Sequence, residues 1–168
     1  MEKHVEKKFR KQLRSENSLE VIAAIKYLRE VGNEMFINDL AILLCETKSE
    51  DIHSLILNLF NDLKNKNAVP ELVSVLKNKS YEKEKSNILS ACWKSGLNFS
   101  SELDIFFEIF CLDDFVSAFE AYTVLETNIP YLTPEAANKY LSFLLKKEKG
   151  LDPDRLELAN YLKSMLQE

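Results

Sequence analysis

The sequence holds only three glycines and four prolines in 168 residues. An all-β chain of this length needs many tight turns, and glycine and proline supply most of them, so sheet-rich folds are disfavoured. No Walker loop and no GxGxxG occurs, so none of the glycines cradles a phosphate. The three cysteines, Cys45, Cys92 and Cys111, form neither an even disulfide framework nor a CxxC pair. Reduced thiols in a cytoplasmic protein are the simplest reading. No apolar run approaches the roughly 18 residues of a membrane span. The opening "MEKHVEKKFRKQL" has no apolar segment of the kind a signal peptide needs.

Histidine is nearly absent. His4 lies in a charged terminus, and His53 starts a helix, where a surface role is expected. Neither pairs with a cysteine or a carboxylate at a spacing useful for chemistry, so zinc and nucleophile readings are weak. Cys92 belongs to an apolar column, while Cys45 and Cys111 recur at equivalent places near the ends of helices. The adjacent Asp113 and Asp114 read as a solvated first turn favoured by the helix dipole. Catalytic, cofactor-binding and metal-binding residues are therefore expected to be none, and the chain to be no enzyme.

What is present is Leu, Ile, Ala, Lys and Glu in abundance, the composition of a helical chain long enough for one domain with a real core. The apolar residues repeat. The segments "AIKYL" (24–28), "ILNLF" (56–60), "ILSAC" (88–92), "AYTVL" (121–125) and "LANYL" (158–162) follow one another at offsets of 32, 32, 33 and 37. Their first, second, fourth and fifth residues are apolar, aromatic, Ala or Cys at all twenty positions, and the third is always polar. Each segment follows an earlier apolar segment ending at Leu13, Leu44, Leu76, Phe110 or Leu145. The pattern predicts about five helical hairpins, roughly ten helices, with repeats near 1–32, 33–67, 68–100, 101–133 and 134–168. Proline in "AVPELVSVL", "TPEAANKYL" and "DPDRLELA" suits a first helical turn, with Thr133 and Asp152 as N-caps. Gly32 and Gly96 fall where a left-handed C-cap is wanted, and Gly150 ends a helix. A plain helical bundle is the alternative, but it needs no common register every ~33 residues, whereas stacked hairpins do.

"AVPELVSVL", "SEDIHSLILNLFNDL" (49–63) and "SLEVIAAIKYLREVG" (18–32) resemble the first and second helices of HEAT repeats. The resemblance covers nearly the whole chain and implies a short right-handed α-solenoid whose second helices line a concave face. His53 stands where the family often has Arg. "SYEKEKS" lacks the family's turn Asp and "CLDDFVSAF" its basic residue, so the ladder of Asp and Arg side chains between repeats is not expected. The stripe Val5, Phe9, Leu13 reads as an N-terminal cap and the helix "DRLELANYLKSMLQE" as a C-terminal one, which implies a complete array.

Charge is unevenly placed. Residues 1–15 carry six Lys/Arg against two Glu, whereas Ser95 to Asn138 has no Lys or Arg and eight acids. That window also holds Phe99, Phe106, Phe107, Phe110, Phe115, Phe119, Tyr122 and Tyr131. Either the aromatics are core and the acids solvated, or the window is an acidic, aromatic patch for a basic or amphipathic segment. The shared register turns Lys26, Asn58, Ser90, Thr123 and Asn160 away from the inter-helix core. Arg29, Asn61, Trp93, Glu126 and Lys163 lie one turn on, and Phe119 one turn before. Trp93, Phe119, Glu126, Asn58 and Asn61, with Lys26 and Arg29 beside them, are the expected partner-binding residues. The competing role for Trp93 is to fill the gap beside the small Ala91 and Cys92. The function expected is a non-enzymatic protein–protein interaction module or scaffold. The alternative is a nucleic-acid-binding HEAT-like protein of the DNA-repair glycosylase type, which a net charge of −5 disfavours.

Overall fold

The computed structural model describes residues 3–31 and 34–167. Among these every regular element is helical, with no strand. The α-helices are α1 (Lys3–Leu13), α2 (Ser18–Val31), α3 (Ile37–Glu46), α4 (Glu50–Asn61), α5 (Ala68–Lys77), α6 (Lys85–Ser95), α7 (Leu103–Leu112), α8 (Phe115–Asn128), α9 (Pro134–Lys147) and α10 (Pro153–Met165). The all-α class and the number of helices agree with the sequence.

Local chemistry sets the boundaries. Ser49, Asp114, Thr133 and Asp152 each lie in extended backbone before a helix and accept a first-turn N–H through the side chain. Pro134 and Pro153 open α9 and α10 as expected. Pro70 is the third residue of α5, still inside the turn whose N–H groups have no intrahelical acceptor. Gly96 closes α6 with a φ of 69°, the left-handed cap. Gly32 lies outside the described residues. Gly150 ends a 3-10 turn, Glu148–Gly150, that follows α9. The polar run after α5 also folds as a 3-10 turn, Lys79–Glu84, and buries Tyr81 and Glu84.

The chain divides into two compact bodies, Met1–Leu97 and Asn98–Glu168. In the N-terminal body α1 packs on α2, α3 on α4 and α5 on α6, so the hairpins are real. Like packs on like between hairpins: α1 on α3 and α3 on α5, α2 on α4 and α4 on α6. The C-terminal body repeats the scheme, with α7 on α8 and α9, and α8 on α10.

The aligned columns account for the core, with five departures: Leu57, Tyr122 and Leu158 are half-buried, and Tyr27 and Tyr161 are exposed. The first and fifth positions are buried in every segment except Leu158, which is half-buried. Ile25, Leu28, Phe60, Leu89, Leu125 and Leu162 are enclosed, whereas Leu57 is only half-buried. Tyr27 and Tyr161, fourth residues of the first and last segments, are 45% and 58% exposed. Tyrosine counts as apolar in a column, yet its hydroxyl needs a partner or water, so the ring is content at the surface. Tyr27 stacks on Phe9 with ring centroids 4.8 Å apart.

Polar links join residues about one repeat apart, and only one of those that follow pairs Arg with Asp. Arg29 Nε donates to Asp62 Oδ2 at 2.7 Å, His53 Nε2 lies 3.0 Å from Glu84 Oε2, and Lys64 Nζ donates to Ser95 O at 2.7 Å. In the C-terminal body Phe99 N donates to Asn128 Oδ1 at 2.7 Å and Lys139 Nζ to Asp104 Oδ1 at 2.6 Å. The partners are 29 to 35 residues apart, about one repeat. A ladder exists, built from mixed residue types that a search for Asp and Arg alone passes over.

Candidate partner-binding surfaces

Of the residues singled out for partner binding, Lys26 and Arg29 lie on α2, Asn58 and Asn61 on α4, and Trp93 on α6, all in the N-terminal body. Successive helices of one layer carry them, since α2 packs on α4 and α4 on α6. Phe119 and Glu126 lie on α8 of the C-terminal body, two turns apart on one face. Lys26, Arg29, Asn58, Phe119 and Glu126 are exposed, and Asn61 and Trp93 are half-buried. Arg29 is engaged with Asp62, an exposed pair of the kind that contributes about 0–1 kcal/mol. Lys94 Nζ stands 5.2 Å from the centroid of the Trp93 ring. Trp93 is therefore neither fully core nor fully exposed, and part of the indole meets solvent.

The aromatic window separates into two sets. Phe99, Phe106, Phe107 and Phe110 are core, with Phe99 edge-on to Phe106 at 5.3 Å. Phe115, Phe119 and Tyr131 are exposed. Phe119 lies between Phe115, at 6.5 Å, and Tyr122, at 6.3 Å, forming a ladder along α8. Tyr122 donates its hydroxyl to Glu126 Oε1 at 3.2 Å.

The paired Asp113 and Asp114 have separate structural duties. Asp113 closes α7, and its carbonyl accepts from Arg155 Nη2. Arg155 also donates to Phe110 O at 3.4 Å, so one guanidinium satisfies the end of α7 where basic groups are favoured. Asp114 caps α8. Its carboxyl is held below the ordinary carboxylate range by the Ser117 hydroxyl, at 2.7 Å, and by the N–H groups of Ser117 and Val116. A depressed pKa contributes stability above the unfolded value of about 4 and loses it as pH falls through the lower folded value. Asp114→Asn, which can still accept at the cap, is expected to flatten the dependence of the guanidinium midpoint on pH below about 4. Asp114→Ala is expected to cost about 1 kcal/mol at pH 7.

Reactive groups are few and dispersed. Among the described residues no three His, Cys, Asp or Glu come together as a metal site. All three cysteines are free thiols. Burial pushes the Cys92 thiol far up and the Cys111 thiol up to about 11, leaving little thiolate at neutral pH. Cys45 is raised first by burial and then by the carboxylate of Glu84. His53 is not the free surface residue expected from sequence, because its ring meets that same Glu84, which is 4% exposed. Asn87 Nδ2 donates to the same carboxylate oxygen at 2.8 Å. Sequence reading missed Glu84, since it sits in a charged run; the signal that finds it is a polar residue one repeat after His53.

Compared with family models, curated proteins and solved structures, the chain matches none.

Proposed function

We propose that the chain is a non-enzymatic interaction module: a short right-handed α-solenoid of HEAT-like hairpins whose second helices present partner-facing side chains. The observation that carries this reading is the third column. Lys26, Asn58 and Ser90, on α2, α4 and α6 of the N-terminal body, all keep access to solvent while the first and fifth residues of their segments pack inward, so these three second helices hold one outward row in common. Extended surfaces of this kind are what repeat proteins use to hold partners. Trp93 and Phe119 supply the large side chains that dominate interface energetics, and the free thiols support a reducing, cytoplasmic setting. The partner class is a protein or peptide.

The test is quantitative capture from native lysate with the protein and Trp93→Ala side by side. Loss of the aromatic anchor is expected to weaken retention of a specific partner about fivefold or more, roughly 1 kcal/mol, while circular dichroism is unchanged. Equal retention by both proteins overturns the assignment. Unrelated duplex DNA is expected not to compete; competition that fades steeply with salt would favour the nucleic-acid reading instead.

A further inference from the structure

Helix α8 is built inside out. Its core-facing positions in the first two turns are Ser117, Ala118 and Ala121, all buried and all small. Its outward positions over the same turns are Phe115, Val116 and Phe119, which are 44%, 61% and 48% exposed. A helix stabilised only by its own fold does the reverse, because each buried Phe or Val stabilises by about 1.5–3 kcal/mol relative to an exposed one. Leu112, at the end of α7 three residues before Phe115, is also 64% exposed. A clustered apolar surface on a helix that is otherwise well packed marks an interaction site.

We propose that this face of α8 docks a cationic amphipathic helix of another protein. Charge selects the sign. Helices α7 and α8 contain no Lys or Arg, and Asp114, Glu120 and Glu126 bracket the apolar strip. The C-terminal body as a whole carries six Lys/Arg against thirteen Asp/Glu, a formal charge of −7. Its cations lie on α9, on α10 and in the turn between them, where Lys139 holds Asp104, Lys163 holds Glu148 and Arg155 caps α7. Backbone groups select the form. With the N–H and C=O groups of α8 satisfied inside the helix, an extended peptide finds no edge to pair with, so ridge-into-groove packing of a second helix is the fit. From Phe115 to Glu126 the face runs about 16 Å, three turns, which a partner of three to four turns covers. The chain's own basic helix α1 has the right chemistry but is not free, since Phe9 is buried and stacked on Tyr27.

This inference rests on the interaction reading and adds the partner's chemistry. Its test uses the full chain and a fluorescein-labelled Leu/Lys helix of about 14 residues, long enough for the face, followed by anisotropy. Two controls accompany it, the same peptide with Glu for Lys and a permuted Leu/Lys peptide with no apolar stripe. Only the cationic amphipathic probe is expected to bind, and Phe115→Ser with Val116→Ser is expected to weaken it at least about tenfold. Both changes are on the surface, so thermal unfolding should be unmoved and serves as the folding control. Equal binding of the controls, or of the double variant, overturns the proposal. So does a wild-type dimer that dissociates in the double variant without any peptide binding, which assigns the face to a second copy. If the probe fails while capture from lysate still depends on Trp93, this inference falls and the interaction reading stands.

Discussion

Leu89→Ala is expected to lower the unfolding free energy by about 2–5 kcal/mol, while Leu57→Ala costs less, about 1–2 kcal/mol. The two leucines are equivalent in the repeat, second residues of neighbouring segments, and sequence alone treats them alike. Burial separates them. Leu89 has no exposed surface, enclosed on α6 where that helix meets α4 and α5, so truncation leaves a cavity that close neighbours cannot fill. Leu57 keeps some of its side chain in water, so less transfer free energy is lost and the space left is open to solvent rather than a sealed cavity. Guanidinium midpoints of the two variants, with unchanged m-values, check this. Equal losses, or an unmoved midpoint for Leu89→Ala, would mean the helices are packed in another register.

That comparison shows where the sequence is informative and where it stops. Period and capping chemistry are local, and they place the helices well: Thr133–Pro134, Asp152–Pro153 and Gly96 act where their conformational preferences put them. The register also turned Phe119 outward, because a position one turn before a polar column must share its face. Apolar character alone would have buried it. Sequence could not separate Leu57 from Leu89, nor see that Tyr27 and Tyr161 sit at the surface, since a column of apolar letters does not record what covers each residue. Long-range polar pairs were invisible for a related reason. Asn128 is buried with its side chain shared between the Phe99 N–H and the Val124 carbonyl, at 2.7 and 2.8 Å, and nothing near it in sequence announces that duty. The candidate surface was legible in part: its residues are accessible, but the inverted packing of α8 emerges only when the small residues are found inside.

His53→Ala is expected to cost about 2 kcal/mol, chiefly through the carboxylate it abandons. Glu84 is the one charged side chain buried among the described residues. Its oxygens meet the His53 ring at 3.0 Å, the Asn87 amide at 2.8 Å and, on the other side, Lys83 Nζ at 3.9 Å. Removing one hydrogen-bond partner of a buried carboxylate costs roughly 1.5–3 kcal/mol, because the acceptor left behind has lost water and gained nothing. The lower end applies here, since the His53 side chain is 26% exposed and Asn87 still donates. In the His53→Ala background, Glu84→Gln replaces the stranded charge with an amide that is cheaper to bury, and should recover more than half of the loss. A coupling of about 1–3 kcal/mol in the double-mutant cycle is expected; additivity within about 0.5 kcal/mol would reduce the contact to packing. Thiol chemistry gives an independent reading of the same charge. The Glu84 carboxylate helps hold the Cys45 thiol above its ordinary value, after burial. Glu84→Gln should therefore lower that value and speed alkylation of Cys45 by iodoacetamide at pH 8, with Cys92, fully enclosed, unreactive in both proteins. An unchanged Cys45 rate would show that the Glu84 charge does not reach the thiol.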